Sequence, residues 1–305
     1  MSAADVRLLM ISARYENGGN PTHRLLDGHP QMYVYPFESQ LGTAAVRDHW
    51  ASLYPLKYRW PQFALDADLA ADFRSIIDEE TRVRTRTPNV SKFRDWAFDM
   101  DDDERMALCV AEMEGLERRR PEIVAAFFRA TFNAWKDLNR SGRESTYVGY
   151  SPVIGVDAET ILAELPQAHV LQVVRNPWSA FAETRRRPVP LRLAHYLAGW
   201  VTVQQATLVA RELYPDRVHI LRYEDIVADP QGVLGEVCAK LGLEAADSLA
   251  TPSWNGAPLA QVYPWGTIRE PSTDANRRTG EELSAAERDE VTRLAGPYLE
   301  KFDYR

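Results

Sequence analysis

Residues Val6 to Gly28 read VRLLMISARYENGGNPTHRLLDG. Val6–Ser12 is a short apolar run with β-branched members, which predicts a strand buried on both faces of a parallel sheet. Ala13–Asn20, ARYENGGN, is a glycine-containing loop. Asn20 is a good N-cap and Pro21 fits a first helical position, so a helix is predicted from there. Gly28 suits its C-terminal cap. In a strand–glycine loop–helix unit, backbone N–H groups can approach an anion closely and the helix N-terminus adds a favourable dipole. A Gly-Gly turn also reverses the chain with no ligand, so the loop alone decides nothing. The pattern GxxxxGK[ST] is lacking, which does not support a standard nucleoside triphosphatase loop.

Outward from this unit, Gln31–Phe37 is rich in Tyr and Val and predicts a second strand. From Leu41 to Asn139 the apolar residues recur at three-and-four spacing, as in AVRDHWASLY, LAADFRSIIDEE, DERMALCVAEMEGLERRR and PEIVAAFFRATFNAWKDL. Arg118–Arg120 read as a solvated helix end. Arg82, Arg84 and Arg86 would share one face if extended, a face that could meet an anionic acceptor, though a solvated edge strand is the expectation there. Alternation then returns. Strands are predicted at Ser145–Tyr150, His169–Val174 and Val218–Tyr223. Helices are predicted at Asp157–Leu165, Leu191–Leu213 and Gly232–Leu241. Ser284, with Glu287 three residues on, opens a last one. The pattern predicts an α/β fold: a parallel sheet flanked by helices, with right-handed crossovers. Residues 1–305 read as a single domain with a helical insertion over 42–139.

Composition narrows the function. The 305 residues carry 36 basic and 44 acidic side chains, a formal net charge of −8, with 26% charged and 45% hydrophobic residues. Those proportions exclude a largely disordered chain. An acidic balance argues against a nucleic-acid binder, whose phosphate contacts need a basic surface. It leaves room for a local basic pocket. Cys109 and Cys238 lie far apart with no zinc spacing, so no metal is expected and two buried thiols are. The opening residues lack the pattern of a signal peptide, and no run approaches the ~20 apolar residues of a membrane span. The expectation is a soluble, cytoplasmic protein without a membrane partner, its oligomeric state open.

A second loop stands out: VVRNPWSAFAETRRRP, Val173–Pro188. Arg175 directly follows a buried strand, Asn176-Pro177 makes a turn, and a helix begins beyond it. A guanidinium fork at a strand end suits a phosphate. Pairing with a neighbouring carboxylate is the plain alternative. Arg185–Arg187 read as a solvated basic end that also raises the local potential.

With PQAHVLQVVRNPWSAF and HILRYEDIVADPQGVLGEVCAKLGL added to the N-terminal unit ending in LLDGHP, the chain resembles the sulfotransferases that use 3′-phosphoadenosine 5′-phosphosulfate (PAPS). The resemblance covers the first forty residues and most of Ser145 onward. It implies a P-loop-like sulfotransferase architecture. It also implies sulfuryl transfer to a hydroxyl of a small molecule or carbohydrate. PAPS would be the donor and would need no metal, and the helical insertion would cover the acceptor site. Asn17, Gly18, Gly19, Asn20 and Thr22 would cradle the 5′-phosphosulfate. Arg175 matches the arginine for the 3′-phosphate. Glu183 stands where the family usually has a serine, so Thr184 or Ser179 would supply the hydroxyl, and Arg277 or Arg278 a second arginine. Glu38, in YPFESQ, falls where carbohydrate-acting members carry their base; a surface glutamate at a helix start is the alternative, and His29 reads as a turn residue. Tyr223, Glu224 and Asp225 read as structural, with Asp225 a possible cap for the next helix. Trp178, Trp254, Trp265 and Tyr263 would stack on adenine, shape the acceptor cleft or sit in the core.

One departure stands out. The family's loop usually begins with a Lys or Arg that stabilises the leaving phosphate, and Glu16 occupies that place. Three expectations follow: Arg14 supplies the cation, or His23 or Arg24 does, or the protein binds nucleotide without transferring sulfate. A magnesium-dependent ATP phosphotransferase or hydrolase is a more distant alternative.

Overall fold

The computed structural model describes residues 2–44, 55–64, 68–187, 191–259 and 273–304. Its centre is a five-stranded, all-parallel sheet of order β2-β3-β1-β4-β5. The strands are β1 (Leu8–Ser12), β2 (Met32–Val34), β3 (Thr146–Ser151), β4 (Ala168–Val174) and β5 (Val218–Arg222). Five residues of β1 are buried without a break, as the apolar run required. Leu8 pairs with Tyr147 on one side and Ala168 on the other.

The helices follow in chain order: α1 (Gly19–Leu26), α2 (Leu69–Ser75), α3 (Glu79–Arg86), α4 (Asp102–Glu112), α5 (Arg120–Ala134) and α6 (Ala158–Glu164). Then come α7 (Pro177–Thr184), α8 (Leu193–Leu213), α9 (Tyr223–Ala228), α10 (Pro230–Lys240), α11 (Thr273–Glu281) and α12 (Ala285–Lys301). Alternate residues of β1 serve opposite faces. Leu9 and Ile11 pack with α1 and α10, whereas Leu8 and Met10 pack with α4 and α5. The helices after β4, α7 and α8, share a core with α12 beside Val174. The chain therefore leaves β1 and β4 in opposite directions, and the crevice at their carboxyl ends is a topological switch point, where such sheets bind ligands.

The middle helices share the main core with the sheet. Phe73, Cys109, Phe127 and Phe128 are buried in one cluster with Leu8 and Met10. Tyr35, just past β2, donates to Asp78 at 2.7 Å, and Arg105 of α4 pairs with Asp78 and Asp102 at 2.7 and 2.6 Å. Residues 82–86 are helical, which corrects the edge-strand expectation. Gln40 Oε1 accepts the first amides of α3 from Glu79 and Glu80, and Arg86 pairs with Asp102. The predicted continuous helix over 69–80 divides at Asp78, whose φ is +30°. Most of the helix predicted over AVRDHWASLY lies outside the described residues. Arg118–Arg120 are not simply solvated: Arg118 pairs with Asp72, Arg119 with Glu122 and Arg120 with Glu164. α12 opens on the predicted Ser284–Glu287 capping box.

Candidate active site

The glycine loop begins at the end of β1. Asn17 N–H donates to the Arg14 carbonyl, and Glu16 and Gly18 have φ of +61° and +89°. Gly18, not Asn20, is the residue before the helix, so α1 starts two residues earlier than the capping preference predicted. The left-handed backbone at Gly18 makes the turn, and glycine is the residue that adopts it without strain. Asn17 is fully buried and bolts the loop in place. Its Oδ1 accepts from the Arg175 backbone N–H at 2.9 Å and from Trp200 Nε1 at 3.2 Å. Its Nδ2 donates to the Tyr15 carbonyl and to Tyr196 Oη, both at 2.9 Å. Arg175 Nη1 donates to the Glu16 carbonyl at 2.8 Å. The two loops singled out in the sequence thus meet at the switch point, 158 residues apart in the chain.

Two aromatic rings lie against the glycines. A Cβ at Gly18 would stand 2.1 Å from the Tyr223 ring, and one at Gly19 2.4 Å from the Tyr150 ring. The Arg175 guanidinium sits 5.3 Å from the Tyr223 ring centre. Thr22 is buried, its hydroxyl donating to the Gly18 carbonyl. Asn20 is half-buried in the first turn, where helical amides lack partners within the helix.

On the other side of the loop stands Glu38. Tyr58 Oη donates to Glu38 Oε2 at 2.5 Å. Burial, then the Glu38 carboxylate, raises the Tyr58 phenol pKa, so this hydroxyl stays protonated as the donor. The Tyr150 hydroxyl is also held up by burial, and Glu38, Glu16 and Arg187 all act on it. Tyr58 thus holds Glu38, the Tyr150 ring lies on Gly19, and Ser39, next to Glu38, is hydrogen-bonded to the Tyr150 backbone.

The cation candidates sort by environment. Arg14 is 1% exposed, lies 4.6 Å from the Tyr15 ring centre, and rests on α8, where a Cβ at Gly199 would meet its guanidinium at 2.4 Å. His23 is buried, and its pKa is lowered well below the usual range by burial and by Arg24, so the ring is neutral at pH 7. Arg24 lies 2.9 Å from His23 Nδ1, 3.9 Å from Asp27 and 5.2 Å from the Trp254 ring centre. Glu16, 38% exposed, stands 3.7 Å from Arg187 Nη1, and Arg187 lies 4.6 Å from the Tyr15 ring centre.

A family model described as the sulfotransferase family matches residues 18–247. The chain belongs to that family. Among solved structures, the sulfotransferase domain from the Synechococcus PCC 7002 olefin synthase is 20% identical, with a TM-score of 0.53, the match covering 98% of this chain and 96% of that one. The sulfotransferase domain from the curacin biosynthetic pathway is 18% identical, with a TM-score of 0.52 and coverage of 96% and 97%. At these identities the likeness is one of fold. No curated protein sequence matches the chain.

In this sulfotransferase the rest of the second loop is built as follows. Asn176 caps α7 by accepting from Ser179 N–H, and Glu224 Oε1 accepts from the Asn176 backbone and side chain at 3.1 and 2.9 Å. Tyr304 Oη donates to Glu224 Oε2. Glu224 is thus a brace for the Arg175 turn. Asp229, not Asp225, caps α10, through its Oδ1 and Gly232 N–H. Glu183 stands 3.9 Å from Arg175 Nη2. Thr184 is fully buried, its hydroxyl donating to the Ala180 carbonyl, so a ligand reaching Arg175 from solvent does not meet it in this structure. Ser179 instead lies beside Gly280 of α11. Both line a cavity of about 350 Å3 with Trp178, Arg277, Glu281 and Arg288. Arg278 is exposed on the same helix. Trp254 is in the core, whereas Trp265 and Tyr263 lie outside the described residues.

No local signal in the sequence marked Tyr58, Tyr150 or Gly199, and Arg187 was marked only as one of three arginines in a solvated basic end. Among the described residues no group of three or more His, Cys, Asp or Glu is arranged to hold a metal, and no helix is long and apolar enough to cross a membrane.

Proposed function

We propose that this sulfotransferase moves a sulfuryl group from PAPS to a hydroxyl of a small molecule or carbohydrate. The observation that carries the reading is the Asn17–Arg175 junction. It sets a glycine loop opening a helix beside a buried, always-charged fork at the sheet's switch point. That donor set suits a ligand with phosphates at two ends.

The loop from Asn17 to Thr22 would hold the 5′ end, with the backbone amides of Gly19 and Asn20 as donors. Arg175 would hold the 3′-phosphate. Ser179 and Arg277 share one cavity wall with Asn176, the residue after Arg175, and Arg278, exposed on the same helix as Arg277, would supply a further cation. PAPS supplies an activated sulfur and its own leaving group, adenosine 3′,5′-bisphosphate. Glu38 accepts the proton of the acceptor hydroxyl as that oxygen bonds to sulfur and the bond from sulfur to the phosphate oxygen breaks. Tyr58 fixes the Glu38 carboxylate through its 2.5 Å hydrogen bond. The buried, thiol-only cysteines suit the cytoplasmic setting expected from the sequence.

A second reading, nucleotide binding without transfer, draws on Glu16, because a carboxylate beside a developing anion opposes transfer. Calorimetry with adenosine 3′,5′-bisphosphate, then a labelled-sulfate screen over hydroxyl acceptors, tests both. Sub-millimolar binding of the bisphosphate and one productive acceptor support the first. Binding with no acceptor supports the second, and no binding removes both.

A further inference from the structure

We propose that Arg187 supplies the cation for the 5′ end of the donor in place of the basic residue missing at Glu16, and that Glu16 holds Arg187 at the loop until the anion takes it over. The inference rests on the donor reading above.

The three arginines at the end of α7 go different ways. Arg185 reaches Glu287 at 3.1 Å and Arg186 reaches Glu282 at 2.5 Å, both at the start of α12 or just before it. Arg187 turns instead to the glycine loop, 3.7 Å from Glu16 and over the Tyr15 ring. Its charge acts on Tyr150, whose ring lies on Gly19 and which also senses Glu38. Arg187 therefore stands at the glycine loop, against Glu16 and Tyr15. The other nearby cations are buried, neutral or drawn elsewhere. Arg14 and Arg24 are buried against α8 and Asp27, His23 is neutral, and Lys57, partly exposed, lies 2.7 Å from Glu79 of α3 rather than at Glu16.

The Glu16–Arg187 pair is suited to being broken. Both side chains are about two-fifths exposed and the contact is long, and pairs of that kind contribute little to stability. A phosphate offers the guanidinium a doubly charged, bidentate partner instead. The carboxylate that kept the arginine in place then becomes an unfavourable neighbour of the anion.

Calorimetry on the full chain with adenosine 3′,5′-bisphosphate and adenosine 3′-monophosphate separates the two ends. R187A should weaken the bisphosphate by about tenfold or more, the loss of a charge-assisted contact, and leave the monophosphate within about twofold. E16Q should tighten the bisphosphate. E16K in the R187A background should restore it, because a lysine returns to the position the family uses. Both sites are exposed, and urea midpoints confirm that the variants fold. If R187A leaves the ratio of the two affinities unchanged, or E16K fails to restore it, the inference is overturned while the donor reading stands. Wild-type protein that binds neither ligand sinks the donor reading and this inference together.

Discussion

Gly18→Ala tests the loop most directly. The substitution meets two separate obstacles. The backbone at Gly18 has φ +89°, a left-handed conformation that costs an L-residue about 1–2 kcal/mol. The new methyl would also lie 2.1 Å from Tyr223 Cδ2, well inside contact distance, and overpacking of that kind costs about 1–3 kcal/mol. Together G18A should lose about 2–5 kcal/mol, a large share of a typical domain's stability. The two parts separate in a double-mutant cycle with Y223A, read by urea unfolding. Removing the ring relieves the clash and leaves the backbone cost. The coupling between the two sites should therefore be about 1–3 kcal/mol, with G18A milder in the Y223A background. A coupling near zero would refute the claim that the ring, and not only the turn, demands glycine. The ring also backs Arg175, so G18A should weaken bisphosphate binding even where the protein remains folded.

Three further outcomes are expected. Arg175→Ala should weaken the bisphosphate by about 2–4 kcal/mol, roughly 30- to 1,000-fold, in calorimetry; unchanged affinity would detach this arginine from the 3′-phosphate. Glu38→Gln should lower labelled-sulfate transfer to the best acceptor by about 10²–10⁴-fold with bisphosphate affinity unchanged, and a fully active variant would end the base assignment. His169 and His219, stacked with Nδ1 and Nε2 3.0 Å apart, are both held down to about 4, chiefly by burial. Above about pH 6.5 both states are neutral there; below it the unfolded chain binds protons first. Stability should fall from pH 6.5 towards 4, by up to about 1.4 kcal/mol per pH unit for the first ring to titrate. Urea midpoints at pH 7 and pH 5 check this, and an equal drop in H169Q/H219Q would refute it.

The parts of the fold legible in the sequence were those that local pattern decides. β3, β4 and β5 are short apolar runs and lie within a residue or two of their predicted places. The helix over 79–86 was not legible, because TRVRTRTP alternates and its deciding cap is Gln40 Oε1, 39 residues away. The start of α1 was misplaced for a related reason. Asn20 has the better capping side chain, but Gly18 has the backbone the turn needs. The site shows the same division. Arg175 stands out in the sequence because it directly follows a buried strand, and in the fold it sits beside the glycine loop. Asn17 was read as an anion ligand, yet its side chain is occupied by four hydrogen bonds that tie the loop to Arg175, Tyr15, Tyr196 and Trp200.

Burial, rather than distance along the chain from the glycines, sorts the cations that can serve an anion. Arg14 is two residues from Glu16 and Arg187 is far from it, so the sequence favours Arg14. In the fold Arg14 fills a space that Gly199 leaves on α8 and lies against Tyr15. Turning it toward a ligand would empty a packed site, and the lost contacts would cost several kcal/mol by analogy with large-to-small core changes, about 2–5 kcal/mol. Moving the 40%-exposed Arg187 costs only a weak surface pair. Glu16 thus does not abolish positive charge at the loop. It exchanges a cation within the loop for one delivered from the end of α7, and the loop and the α7 end must be in place together before the site carries it.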